Sequence, residues 1–136
     1  MGLLQRKLKK AYTAWRYDVR ILAIEPGRTP EERKVSGSLA SLQDVVGGLI
    51  QAIYPFDDAV ALLCNDEGKL LGLPMNRVLP EIGDIICGPF AVVGTPPGSE
   101  HFSSLTDEQM ERYKKRFHSP EVFLRIGNDV FVLPKQ

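Results

Sequence analysis

Cysteine is scarce in this chain: Cys64 and Cys87 are the only two among 136 residues, and each sits in an apolar run. That supply excludes a disulfide scaffold and leaves two reduced, strand-buried thiols as the expectation. Histidine is as rare, at His101 and His118, and no Cys or His pair stands at zinc-knuckle spacing, so neither a metal site nor a cofactor is expected. No apolar run approaches the roughly 20 residues of a membrane helix. The first residues lack the apolar stretch and small-residue cleavage site of a signal peptide, which makes the cytoplasm the expected compartment and excludes a membrane span. Also missing are a P-loop, a Gly-x-Gly-x-x-Gly fingerprint and a Gly-x-Ser-x-Gly nucleophile elbow. Gly94-Thr95-Pro96-Pro97-Gly98-Ser99 contains glycine, but its prolines delete the amide donors that a phosphate cradle uses.

What is present is ordinary: 43% hydrophobic and 25% charged residues, enough for one folded domain. The 17 basic and 17 acidic side chains cancel, yet residues 1–18 hold Arg6, Lys7, Lys9, Lys10 and Arg16 against Asp18 alone. The remainder therefore carries 12 basic and 16 acidic groups. An acidic body repels a phosphate backbone, so nucleic acid is disfavoured as a partner unless the arm supplies the contact. Leu4, Leu8, Ala11, Tyr12 and Trp15 recur at three- and four-residue spacing, which predicts a basic amphipathic helix. Such a helix either packs its apolar face on the body or serves as a surface-binding arm. A third reading begins translation at Val19. The chain thus divides into an arm over 1–18 and one α+β domain over 19–136.

Along the domain, Val19 to Glu25 reads as a strand ended by Pro26-Gly27, and Arg33 to Ser36 as an extended segment pairing back on it. Ser38 as N-cap, apolar residues at helical spacing and Gly47-Gly48 as exit predict a helix from Leu39 to Val46. Leu49 to Tyr54, Ala59 to Cys64 and Lys69 to Leu73 read as a three-stranded meander, the last two joined by a tight turn at Asn65 to Gly68. Asp84 to Val93 reads as one more strand with a bulge, bend or edge at Gly88-Pro89. Thr106 and Gln109 form a capping box, Leu105 and Met110 a hydrophobic staple, and Met110, Tyr113 and Phe117 the buried face of a second helix that Pro120 terminates. Val122 to Ile126 and Val130 to Leu133 close the chain as a hairpin, with Phe123 and Phe131 expected in the core. The fold expected is α+β, a small and mostly antiparallel sheet with two main helices and the N-terminal basic amphipathic helix.

The polar residues between Tyr54 and Arg77 are the candidate site. Asp57 and Asp58 follow the aromatic run Tyr54-Pro55-Phe56 and stand between two apolar strands; they either bind a cation, a base edge or a hydroxyl, or serve as turn residues. Asn76 and Arg77 place an amide and a guanidinium on a short connection, where Arg77 suits an anion or an internal salt bridge. If the group binds a ligand, Arg77 would take a phosphate, Asn76 a base edge and Tyr54 a ring.

Tyr54-Pro55-Phe56-Asp57-Asp58, the run from Cys64 to Arg77, Asp84 to Phe90, Ile24-Glu25-Pro26-Gly27 and Ser104 to Gln109 together resemble a family of short bacterial and phage proteins known as domain of unknown function 3846. The resemblance spans Val19 to about Phe123 and implies an accessory role in a phage or other mobile element. It carries no activity, cofactor or catalytic residue over to these positions. The expectation is a non-enzymatic binding module whose partner is a host protein or a nucleotide-like small molecule. The alternatives are a small hydrolase or transferase using Asp57 or Asp58 with Arg77, and a nucleic-acid-associated regulator acting through the arm. A homo-oligomer stays open.

Overall fold

The computed structural model describes Gly2, Leu4 and residues 17–134. The amphipathic helix expected over residues 1–18 lies, apart from Gly2, Leu4, Tyr17 and Asp18, outside the described residues. The elements run β1 (Asp18–Ile24), β2 (Glu31–Ser36), α1 (Leu39–Val46), β3 (Ile50–Ile53), β4 (Val60–Asn65), β5 (Met75–Leu79), a 3-10 turn (Pro80–Ile82), β6 (Asp84–Cys87), β7 (Phe90–Gly94), α2 (Asp107–Arg116), β8 (Glu121–Ile126) and β9 (Asp129–Pro134). The architecture is α+β.

A five-stranded sheet in the order β2-β1-β7-β4-β3 forms the centre, and every neighbouring pair in it is antiparallel. Side chains alternate across a strand with period two, so the runs of β1, β4 and β7 feed both faces. Leu22, Ile24, Val60, Leu62, Phe90 and Val92 face one cluster, which α2 closes with Met110, Tyr113 and Phe117. Val19, Ile21, Ala61, Leu63, Ala91 and Val93 face the other, which α1 closes with Leu42 and Val46. Burial on both faces is why these strands read as continuous apolar runs rather than clean alternations.

Both helices begin and end where their caps dictate. The Ser38 hydroxyl accepts from the Ser41 amide, and Gly47, at φ 77°, takes the left-handed position that ends α1 while its amide bonds Gln43. Thr106 and Gln109 exchange side-chain and backbone bonds as a complete capping box at the start of α2. Leu105 and Met110 are both buried, as a staple requires. Asp107 and Glu108 occupy the first turn of α2 and Lys114, Lys115 and Arg116 the last, each sign matching the helix dipole.

Four expectations are corrected. Lys69 to Leu73 is not a strand: the chain coils from Asp66 through Gly72, with Leu71 bonded back to Glu67 and Leu73 to Gly68. Both sides of β4 are already occupied, by β3 and β7, so no lane is left for a third meander strand beside it. Asn76 and Arg77 lie within β5, which pairs with β6 as a separate hairpin covering the α2 side of the sheet, and not on a connection. Asp84 to Val93 divides into two strands of different sheets, and the break falls at Gly88, whose φ of 88° suits glycine and where a Cβ would meet Leu73 at 2.7 Å. The closing hairpin forms over the expected residues, but Phe131 is half exposed and Phe123 only partly covered, so neither belongs to the two core clusters.

Candidate functional site

Asp58 stands just ahead of β4, and the first turns of α2 cross its carboxylate. One oxygen accepts from the Ala59 amide at 2.8 Å and from Gln109 Nε2 at 3.2 Å; the other accepts from the Tyr113 hydroxyl at 2.8 Å and from Arg112. Burial alone would raise its pKa, but the hydrogen bonds from Tyr113, Gln109 and Ala59 and the charge of Arg112 outweigh that and hold the carboxyl below the ordinary aspartate value. Every lone-pair direction of Asp58 is therefore engaged in fastening α2 to the sheet. Beside it Phe56 packs against Tyr113, ring centroids 5.1 Å apart, and Arg116 lies 5.6 Å from the Phe56 centroid while gripping Glu81 through two bonds of 2.7 and 2.9 Å. Phe56, Asp57, Asp58, Arg112, Tyr113 and Arg116 line an open hollow of about 490 Å³. Its two guanidinium groups face the carboxylates of Asp58 and Glu81.

Burial, and then the bond to Asp58, push the Tyr113 hydroxyl up to about 12. The sign for stability follows from linkage. The lowered Asp58 value contributes stability above the ordinary aspartate range that is lost as pH falls through the folded value; the raised Tyr113 value contributes stability below about pH 10 that is lost as pH rises through about 12. In a spectrophotometric titration, one of the four tyrosines should ionise near 12, and Asp58→Asn should bring that step down. A titration curve unchanged by Asp58→Asn would refute the coupling.

The remaining expected site residues do not join this group. Arg77 is 2% exposed. Its Nε and Nη2 donate to the Phe117 carbonyl at 3.3 and 2.9 Å, Nη2 also to the Arg28 carbonyl at 2.6 Å, and Nη1 to the main-chain and side-chain oxygens of Asn76 at 3.2 and 2.9 Å. Burial lowers the Arg77 pKa, opposed by the nearby charge of Glu121. Asn76 donates to the carbonyls of Ile24 and Gly88, both at 2.9 Å. The guanidinium thus sits on the carbonyl end of α2, where a cation opposes the dipole, and ties β5 to the loop after β1. Tyr54 is 64% exposed just past β3 and lines neither this hollow nor the next, and Asp57 is exposed on the rim of the first. The single surface expected of Tyr54, Asp57, Asp58, Asn76 and Arg77 is not formed, because two of the five lie inside the fold.

A second hollow, of about 310 Å³, is lined by both cysteines together with Gln51, Asn65, Lys69 and Asp84. The Cys64 thiol donates to the Gln51 carbonyl, and burial pushes it up to about 11; burial raises Cys87 as well. Thiols held protonated at neutral pH are poor nucleophiles. Among the described residues no group of three or more His, Cys, Asp or Glu could hold a metal ion, and no helix is long and apolar enough to cross a membrane.

An apolar surface lies open on β8 and β9. Register pairs Val122 with Leu133 and Leu124 with Phe131, so these four and Ile126 share one face of a two-stranded ribbon, each 40–65% exposed. The opposite face turns toward β5, where the Glu121 carboxylate accepts from the Val78 amide at 2.7 Å and Phe123 is partly covered. Sequence reasoning missed this surface, although apolar residues on both faces of the ribbon were the available sign. It missed Arg112 and Arg116 too, since only tertiary packing brings them to Phe56 and Asp58.

No curated protein and no solved structure matches the chain. A family model described as Domain of unknown function (DUF3846) matches residues 19–118, from the first residues of β1 to just beyond α2, and the chain belongs to that family.

Proposed function

We propose that this protein is a non-enzymatic binding module that engages a protein partner through the open face of the β8–β9 ribbon. The observation that carries the reading is the five-residue apolar face of Val122, Leu124, Ile126, Phe131 and Leu133, left in water by a chain that buries both faces of its central sheet. Contiguous exposed apolar surface marks interaction sites, and a two-stranded ribbon gains little by itself from displaying one. In the first hollow a nucleotide-like ligand would have to compete for Arg112 and Arg116, which are bonded to Asp58 and Glu81, and Arg77 is enclosed. As the base of a hydrolase Asp58 is already engaged, since its carboxylate accepts four bonds. The accessory role in a phage or mobile element that the family resemblance implies is part of the same proposal.

The test replaces Phe131 with the photo-crosslinker benzoylphenylalanine in the full chain in cells, with the same replacement at exposed Tyr54 as control. The expected result is a discrete protein adduct from position 131 that Leu124→Lys abolishes. Absence of any protein adduct from position 131 would overturn the reading.

A further inference from the structure

Which partner the ribbon takes can be argued from its own chemistry. From their fractional exposures, the five apolar residues leave roughly 450 Å² of side chain in water, the size of the largest patch on an ordinary monomer. Of the charged residues in the ribbon, only Asp129, opposite Ile126 at the tip, shares their face; Glu121 and Arg125 belong to the other. A face with so little charge offers nothing to attract a nucleic acid or a charged peptide, because steering and register in such complexes come from complementary charge. Leu4 packs against the cluster on the α1 side of the sheet, whereas the ribbon contacts β5 on the α2 side.

Resting on the protein-binding reading above, we infer that the occupant is a second copy of this chain, the two ribbons stacking face to face about a two-fold axis. Two such faces remove about 900 Å² of apolar surface, the size of a weak, transient interface. Isologous contact requires only that the patch match itself. Leu124 and Phe131, the central cross-strand pair, supply the anchors, and Val122, Leu133 and Ile126 surround them. Stacked sheets approach to about 10 Å, a gap that these side chains fill from both sides. Edge-to-edge pairing through β9 would leave the whole apolar face in water and is the poorer arrangement.

Sedimentation equilibrium of the purified full chain up to about 100 µM tests the inference in the range where a small interface associates. The expected mass is twice 15.2 kDa. Leu124→Lys combined with Phe131→Lys should weaken association at least about thirty-fold, the size of a hot-spot loss. Leu70→Lys, at a residue 82% exposed in the coil after β4, should leave it unchanged. If circular dichroism shows the double lysine variant misfolded, Phe131→Ser takes its place and should give a loss in the same direction. A single-chain mass throughout, or a dimer indifferent to the ribbon substitutions, overturns the inference. The crosslinker at position 131 separates the two failures: an adduct with a different protein removes the second copy and keeps the binding module, whereas no protein adduct removes both.

Discussion

Replacing Arg77 by Met should cost about 3–5 kcal/mol and lower the melting temperature by roughly 10–20 °C, among the largest effects of any single substitution in this chain. Met keeps much of the unbranched stem and its packing, so what is removed is the fork of donors. The carbonyls of Phe117, Arg28 and Asn76 and the Asn76 side-chain oxygen then lose the guanidinium that now serves them. A buried acceptor left without a donor costs about 1–3 kcal/mol. Against this stands a recovered penalty, because a guanidinium buried at 2% exposure is costly to desolvate and no longer has to be. Several acceptors outweigh one desolvated cation, which fixes the sign. Arg77→Lys retains the charge at the end of α2 but cannot reproduce the planar fork, so it should fall between Met and wild type. Chemical denaturation reads the difference directly, and a Met variant within about 1 kcal/mol of wild type would show that the guanidinium is not what closes this junction.

Phe117→Ala should cost a further large amount, about 3–5 kcal/mol, whereas Phe131→Ala should cost under about 1 kcal/mol when measured dilute enough that association plays no part. Phe117 is enclosed between Phe90, 5.2 Å away centroid to centroid, and Phe56 at 6.2 Å, with Arg116 stacked 5.4 Å from its ring. Removing it opens a cavity that three fixed neighbours cannot collapse into. Phe131 has half its surface in water and lies outside both core clusters. Equal costs at the two positions would place the ribbon in the core and remove the ground for its role in binding.

Some of this was legible in the sequence because the causes are local. The bounds of α1 and the start of α2 follow from Ser38, Gly47 and the Thr106–Gln109 box, whose bonds span three or four residues and need no partner from elsewhere. The hairpins β1–β2 and β8–β9 follow from short connections rich in Gly, Pro and Asn. The coil at 66–72 was not legible, because Leu70, Leu71 and Leu73 after the turn residues Asn65 to Gly68 suit a strand, and only the occupancy of both sides of β4 forbids one. Asp57 and Asp58 were recognised as notable, yet the partners that decide the role of Asp58 come from α2, more than 50 residues later. Arg77 was read as meeting an anion or an internal carboxylate; its enclosure among main-chain carbonyls depends on Phe117 and Arg28, 40 and 49 residues away.

The sequence by itself determined the α+β class, the helix ends, the β1–β2 and β8–β9 turns and the apolar runs that fill the central sheet, since each rests on backbone propensity, capping or periodicity within a few residues. Tertiary structure alone decided which polar groups reach the surface. It enclosed Asn76 and Arg77, engaged Asp58 and left the β8–β9 face in water. The reason is that a side chain's burial and bonding are set by whichever distant strand or helix packs across it, and contacts between segments tens of residues apart leave no periodic trace in the chain that makes them.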